Sequence, residues 1–181
     1  MDIYKIKFTV LQQEILRFLF VKAYSSFTER GLGKQLGVSP TAVSNSIKLL
    51  EKEQLVSVSK DKESRRLAIS LNKKNPEVFA LKRIENLGLI HTSGIVPYLS
   101  DIFPGATIIL FGSYSFGEDS VNSDIDIAII GSKEKYFALA KFEKILERPI
   151  RLQFYTNLGS INKNLRENVL NGIVLSGGVR L

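Results

Sequence analysis

Two short motifs carry the residue types in this chain that could do chemistry. Gly112 and Ser113 follow an apolar run at 106–111, and Asp124 and Asp126 come just over ten residues later, set between isoleucines. Because side chains alternate across a strand, the two aspartates are predicted to point the same way. Two carboxylates on one sheet face repel each other unless a positive group lies between them. Aspartate oxygens suit hard divalent cations, so the pattern predicts a Mg²⁺ (or Mn²⁺) site at this pair.

The elements around these motifs can be read from the apolar pattern. Apolar runs predict strands at 106–111, 124–130, 150–155 and 173–175, and helical spacing predicts helices at 76–90, 93–102, 114–117, 134–147 and 157–170. In the strand at 150–155, alternation puts three apolar side chains on one face and Arg151 and Gln153 on the other. The helix at 76–90 is predicted to bury a stripe formed by Val78, Leu81, Ile84 and Leu87.

The spacing of the two motifs carries a family resemblance. An apolar residue, Gly-Ser, ten intervening residues and then Asp-apolar-Asp-apolar resembles the active-site signature of the polymerase-beta-like nucleotidyltransferase superfamily. The stretch GSYSFGEDSVNSDIDIAII is most similar to the minimal nucleotidyltransferases of prokaryotes, and the likeness covers 106–181. The resemblance implies a nucleoside triphosphate substrate, with Gly112 and Ser113 on its β- and γ-phosphates. Asp124 and Asp126 would then be the catalytic residues that hold the metal.

The sequence departs from this family in one respect. Active members carry a third carboxylate on a later strand, where it helps to activate the attacking hydroxyl. The matching strand here offers Arg151 and Gln153, and Glu147 is the nearest acid before it. A glutamine could orient a nucleophile but would not accept its proton at neutral pH. Metal and nucleotide binding are therefore predicted, and whether the chain is an enzyme stays open.

The first part of the chain has the pattern of a winged helix-turn-helix. A helix at about 9–24 precedes a short helix at 29–36, for which Thr28 is the predicted N-cap and Gly37 the end. Ser39 is predicted to cap a third helix, and alternating strands at 55–60 and 65–71 would form the wing. Residues 10–72 resemble the winged helix-turn-helix of bacterial and archaeal regulators.

The charge distribution supports a polyanionic partner for this part of the chain. Residues 1–90 hold 16 Lys and Arg against 9 Asp and Glu, whereas residues 91–181 hold 9 of each, so the whole net charge of +7 lies in the first half. The expected partner is double-stranded DNA. The candidate contacts lie on the third helix and in the wing, and they are Thr41, Ser44, Asn45, Lys48, Lys60, Lys62, Arg65 and Arg66. The alternative is a winged helix that only contacts a protein partner or a second copy.

Composition bounds the remaining possibilities. The chain has no cysteine, which excludes disulfides and thiolate metal sites, and a single histidine, His91. No apolar run approaches the roughly 20 residues that cross a bilayer, so no membrane association and a cytoplasmic location are expected. The predicted class is α+β, with a winged helix-turn-helix domain at 1–75, a helical connector at 76–103 and a nucleotidyltransferase-like domain at 104–181.

These patterns support three functional hypotheses. The first is a DNA-binding nucleotidyltransferase that moves a nucleoside monophosphate from a nucleoside triphosphate to an acceptor hydroxyl and releases pyrophosphate. The second is a DNA-binding transcriptional regulator whose nucleotidyltransferase fold senses a nucleotide without turnover. The third is the antitoxin-like partner of a separate helical protein. Winged helices of this kind often form homodimers, and no dimer interface can be read from the sequence.

Overall fold

The computed structural model describes residues 7–60 and 67–179. The chain divides into two compact units, Met1–Phe79 and Ala80–Leu181. Among the described residues, the first unit contains a two-stranded sheet and the second a four-stranded sheet. Both units also contain helices, so the observed class is the α+β class predicted from the sequence.

The first unit begins with helices and ends in two strands. Its elements are α1 (Val10–Val21), α2 (Glu29–Leu36), α3 (Pro40–Lys52), β1 (Val56–Lys60) and β2 (Leu67–Leu71). The predicted caps are confirmed, because the Thr28 hydroxyl accepts from the N–H of Gly31 and the Ser39 hydroxyl from the N–H of Ala42. These bonds satisfy backbone donors that every helix start leaves open. Gly37 ends α2 in the left-handed region, with a φ of 68°.

Helix α3 and the two strands have the arrangement of a winged helix. Val43, Ile47 and Leu50 of α3 are buried. Strands β1 and β2 pair antiparallel, and Phe27 forms a further antiparallel bridge to Ile69 of β2. The bridge ties the segment before α2 to the second strand of the wing.

The second unit is a four-stranded sheet with helices on both faces. Its elements are α4 (Pro76–Thr92, which starts within the first unit), α5 (Ile95–Ile102), β3 (Thr107–Phe111), α6 (Gly112–Phe116), β4 (Ile125–Ile130), α7 (Ala140–Leu146), β5 (Ile150–Tyr155), a 3₁₀ turn (Leu158–Ser160), α8 (Lys163–Leu170) and β6 (Ile173–Ser176). The strand order is β5-β4-β3-β6. Strand β4 runs parallel to β5, and β3 runs antiparallel to β4 and β6.

The two faces of this sheet have separate cores. Ile125, Ile127 and Ile129 of β4 pack with α5 and α7 on one face, and each is fully buried. Burial of an isoleucine side chain stabilises a fold by about 1.5–3 kcal/mol. The other face holds Ala128 and Ile130, which pack with residues before and within α8. Alternation places Asp126 on this second face, so the carboxylate shares the α8 side of the sheet.

The stripe predicted for α4 is wrong at Ile84. Ile84 is 69% exposed, whereas Lys82 and Asn86 are buried. The helix is therefore rotated relative to the apolar pattern. The cause is a set of polar contacts from Lys82 and Asn86 to the loop after α6, which outweighs the burial of one isoleucine.

The helix predicted at 134–147 is also wrong, because α7 begins only at Ala140. Residues 133–139 are not helical, and the Phe137 ring lies 6.4 Å from the Phe103 ring and 5.9 Å from the Phe154 ring. This non-helical segment lets Phe137 reach the aromatic cluster. Ile145, an apolar position of the predicted helix, is 59% exposed.

The final predicted helix, 157–170, is divided into the 3₁₀ turn and α8. The Asn157 side chain accepts from the N–H of Ser160, and the Asn162 side chain accepts from the N–H of Asn164. Asparagine side chains compete with the helical backbone for hydrogen bonds and favour helix starts. Two such starts within six residues break the helical pattern that the apolar spacing predicted.

Candidate functional site

The glycine of the Gly-Ser turn lies directly against one of the two carboxylates. Strand β3 ends at Phe111, which pairs with Asp126 of β4. Gly112 follows with a φ of 74°, and a Cβ at this position would lie 2.9 Å from Oδ2 of Asp126. A larger residue would be strained by its backbone and would also press on the carboxylate. The fold thus brings the Gly-Ser turn and the acidic motif into contact.

The neighbouring Asp124 carboxylate makes ionisation of Asp126 less favourable. Asp124 immediately precedes β4, and Asp126 lies within it. Burial, followed by the charge of Asp124, raises the pKa of the Asp126 carboxyl, while Arg151 and a hydrogen bond from Gln153 partly oppose that rise. Burial disfavours the charged form of a carboxylate, and a neighbouring carboxylate disfavours it further. A cation bound between the two side chains would relieve this repulsion.

Strand β5 is where the family resemblance would place a third carboxylate. It presents Arg151 and Gln153 to the acidic pair instead. Strands β4 and β5 place Asp126 beside Arg151 and Ala128 beside Gln153. Nε of Arg151 lies 2.8 Å from Oδ2 of Asp124 in an ion pair. Oε1 of Gln153 accepts from the Tyr155 hydroxyl at 2.7 Å, which leaves the amide of Gln153 to donate to Asp126. Both side chains predicted at this position therefore contact the acidic pair or its neighbours.

The donor set fits one hard divalent cation. Within 7–60 and 67–179, no group of three or more His, Cys, Asp or Glu side chains is placed to hold a metal ion. Mg²⁺ keeps several waters and binds proteins through one or two carboxylates together with substrate phosphates. Asp124 and Asp126 supply the two carboxylates, so the phosphates of a nucleotide would have to complete the coordination. Glu147, the other acid considered, is an exposed residue that ends α7.

A buried polar network supports the loop between the two motifs, and the sequence reasoning missed it. Asp119 is 1% exposed and forms ion pairs with Lys82 and with Nη2 of Arg148, the latter at 3.5 Å. Nζ of Lys82 also donates to the Asp119 carbonyl at 2.9 Å. Nδ2 of Asn86 donates to Oδ1 of Asp119 at 2.8 Å and to the Tyr114 carbonyl at 2.9 Å.

This network joins three separate parts of the second unit. Lys82 and Asn86 lie on α4, Asp119 lies in the loop between α6 and β4, and Arg148 lies between α7 and β5. The loop starts at the Gly-Ser turn and ends at Asp124, so fixing Asp119 limits how far the two motifs can move apart. The available signal was the i, i+4 spacing of Lys82 and Asn86 on a helix whose apolar stripe is incomplete.

The winged helix presents part of its predicted DNA-contacting set. On α3, Thr41, Asn45 and Lys48 are exposed and Ser44 is half-buried. Lys60 is exposed at the end of β1. The other predicted wing residues, which are Lys62, Arg65 and Arg66, lie outside the described residues. The described candidates on α3 share one outer face of the helix, as a groove-reading helix requires.

No helix in the described part of the chain has both the length and the apolar character needed to cross a membrane.

Protein-family models match both regions of the chain for which a resemblance was predicted. Residues 93–176 match the family model described as Nucleotidyltransferase domain, and residues 10–67 match the model of the MarR family. Comparison with curated proteins found no match to the chain. Both family matches coincide with the regions where a resemblance was predicted from sequence, and the prediction is confirmed at that level.

Three solved structures illustrate what the chain is similar to. The Adhesin competence repressor (AdcR) from Streptococcus pyogenes is 24% identical over 54% of this chain and 69% of that chain, with a TM-score of 0.42. A ZitR mutant from Lactococcus lactis is 23% identical over 57% of this chain and 65% of that chain, with a TM-score of 0.42. The MepR–DNA complex from S. aureus is 21% identical over 52% of this chain and 77% of that chain, with a TM-score of 0.40.

Proposed function

We propose that this chain, which joins a MarR-type winged-helix region to a nucleotidyltransferase domain, is a DNA-binding nucleotidyltransferase. It would transfer a nucleoside monophosphate from a nucleoside triphosphate to an acceptor hydroxyl in a Mg²⁺-dependent reaction. The observation that carries the proposal is the contact of the Gly112 backbone with Asp126, beside Asp124. It supports the proposal because the reaction needs a turn that phosphates can approach beside carboxylates that can hold a cation.

Each residue of the site has a part in this proposal. Gly112 and Ser113 would bind the β- and γ-phosphates, since the glycine leaves room for close approach of the backbone. Asp124 and Asp126 would hold Mg²⁺, which supplies charge neutralisation to the phosphates when it is bound. The acceptor oxygen would form a bond to the α-phosphorus as pyrophosphate leaves, and the hydroxyl proton would pass to water. Gln153 would orient groups near Asp126 without taking that proton.

A second candidate function is a regulator that binds a nucleotide without turning it over. The observation that favours it is the Arg151–Asp124 ion pair at 2.8 Å, at a position where a carboxylate would assist catalysis. Phosphoryl transfer depends mainly on positioning and electrostatic stabilisation, so loss of a base lowers the rate without removing nucleotide binding. The two candidates share the binding site and differ only in turnover.

Transfer of label from a nucleotide separates the two candidates. The full-length chain would be incubated with Mg²⁺, each α-³²P-labelled nucleoside triphosphate in turn, and a cell lysate that supplies acceptors. The transferase predicts label on a protein, RNA or small molecule, lost in Asp126→Ala and retained in Asp101→Ala, an exposed aspartate on α5. Mg²⁺-dependent nucleotide binding without label on any acceptor would establish the sensor instead.

The winged helix is proposed to bind double-stranded DNA. The support is the outer face of α3, with Thr41, Asn45 and Lys48 exposed, together with the concentration of net positive charge in residues 1–90. A basic, polar helix face suits the major groove, where Asn and Lys read base edges and phosphates. MarR-type regulators usually bind DNA as dimers, so the expected DNA-binding form is a homodimer.

Salt dependence tests the DNA-binding proposal. Affinity for genomic duplex fragments should fall steeply with salt, and Arg65→Ala plus Arg66→Ala should reduce the slope of log K against log salt by about 1 for each phosphate that these arginines neutralise. Lys144→Ala, an exposed lysine on α7, is the control and should leave the slope unchanged. Binding that is insensitive to salt and to the double arginine change would refute this part.

A further inference from the structure

The ion pair between Arg151 and Asp124 is unequal in exposure. Arg151 lies on β5 next to Asp126 of β4, and its side chain is 69% exposed, whereas the Asp124 side chain is 24% exposed. The pair joins Nε of Arg151 to Oδ2 of Asp124 at 2.8 Å. The charged end of the arginine is thus held at the acidic site by one contact while most of the side chain remains in water. Exposed pairs of this kind are weak, so the guanidinium can exchange one anionic partner for another.

The charges on this face of the sheet favour one divalent cation over two. Asp124 and Asp126 contribute two negative charges. Arg151 contributes one positive charge, and Gln153 is neutral. Two-metal sites place their ions about 3.5–4 Å apart and need carboxylates that bridge both. One oxygen of Asp124 is already bound to Arg151. A second cation would therefore have to displace the guanidinium and share the ligands that remain.

We propose that Arg151 takes the place of a second cation, so that the site binds a single divalent ion and the guanidinium supplies the other positive charge to the triphosphate. This inference rests on the proposed Mg²⁺-dependent nucleotide binding and applies equally to a transferase and to a sensor. A guanidinium forms paired hydrogen bonds to phosphate oxygens in a planar geometry, which suits it to this role. When phosphate is present, Arg151 leaves Asp124 and contacts the phosphate instead.

Manganese binding measured by electron paramagnetic resonance tests the number of bound cations directly. The probe is Mn²⁺ alone, titrated into the full-length chain, so the readout does not depend on turnover. The expected result is one Mn²⁺ per wild-type chain. Two per chain are expected for Arg151→Asp, because this change replaces the guanidinium with a carboxylate. Lys144→Asp makes the same charge change at an exposed lysine and is expected to leave the number at one. Asp126→Asn should abolish binding in the wild-type background.

Arg151→Gln gives an independent check that does not add a charge. It is expected to bind one Mn²⁺ severalfold more tightly than the wild type, because the competing guanidinium is gone, and to bind inorganic tripolyphosphate with Mn²⁺ severalfold more weakly. Circular dichroism establishes that each variant is folded.

The outcomes separate this inference from the proposed function. Two Mn²⁺ ions in the wild type, or one ion with unchanged affinity in both Arg151 variants, would overturn the role of Arg151 and leave the metal site standing. No Mn²⁺ binding by the wild type or by either variant, both with and without inorganic tripolyphosphate, would refute the metal-dependent function and this inference with it.

Discussion

Asp119→Asn is predicted to be the most damaging single conservative change in the second unit. Asp119, Lys82 and Arg148 are each less than 5% exposed, and the aspartate faces both cations. An amide in its place would leave two buried positive charges without their carboxylate. Removing one partner of a buried ion pair costs about 3–5 kcal/mol. A domain has roughly 5–15 kcal/mol of total stability, so about a fifth or more of the stability of this unit would be lost.

The assay must report on the second unit, because the chain has two units that can unfold separately. Hydrogen exchange of the β3 and β4 amides under increasing urea measures the free energy of opening this sheet. Asp101→Asn makes the same chemical change at an exposed aspartate and should shift that free energy by less than about 0.5 kcal/mol. Lys82→Met combined with Asp119→Leu removes both partners of one pair and should recover part of the loss.

The pH dependence of the Asp119→Asn defect provides a sharper check. Burial lowers the pKa of Lys82 from its ordinary 10.5, and Asp119 opposes that shift. Without Asp119, the folded-state pKa of Lys82 falls further below its unfolded value. Stability then rises with pH, because the unfolded chain binds more protons than the folded one. The stability difference between the wild type and Asp119→Asn should therefore shrink from neutral pH towards pH 10.5. A difference of less than about 1 kcal/mol at neutral pH, or one that grows with pH, would refute this account.

Three further variants test other parts of the structure. Gly112→Ala should weaken Mn²⁺ binding and lower the free energy of unfolding by about 1–2 kcal/mol. The cause is the φ of 74° at this residue and the distance of 2.9 Å between a Cβ there and Oδ2 of Asp126. Unchanged Mn²⁺ affinity would contradict the close approach of Gly112 to Asp126. Ser39→Ala should cost the first unit about 1 kcal/mol in thermal unfolding through loss of the α3 cap. Phe142→Ala should lower the free energy of unfolding by about 3–5 kcal/mol in urea denaturation, because the Phe142 side chain is buried. Ile145→Ala should lower it by less than about 0.5 kcal/mol, because Ile145 is exposed. Equal losses would contradict the observed orientation of α7.

The features that the sequence predicted correctly are those set by neighbouring residues. The caps at Thr28 and Ser39 and the strand at 150–155 agree with the structure because each depends on side chains a few positions apart. The strands predicted at 106–111 and 124–130 likewise correspond to β3 and β4, because each apolar run is local in the sequence.

The features that the sequence did not predict depend on distant partners. Lys82 is buried on α4 because Asp119, 37 residues later, accepts from it. Apolar periodicity assigns a lysine to the surface, because the pattern contains no information on a partner that is distant in the chain. The late start of α7 has the same kind of cause, because Phe137 reaches an aromatic cluster formed by residues far from it in the chain.

The three aspartates in the segment from Asp119 to Asp126 are neutralised to different degrees. Asp119 is fully buried between two cations, and Asp124 is half-buried with one exposed arginine. Asp126 is paired with the amide of Gln153, and its pKa is raised by burial and by Asp124. Gly112 lies close to this third carboxylate, since a Cβ on the glycine would lie 2.9 Å from Oδ2 of Asp126. The two cations beside Asp119 account for that carboxylate as part of the fold. Asp126 instead pairs with an amide and lies close to a glycine whose replacement would press on it, which is the arrangement that the proposed cation and phosphate ligands require.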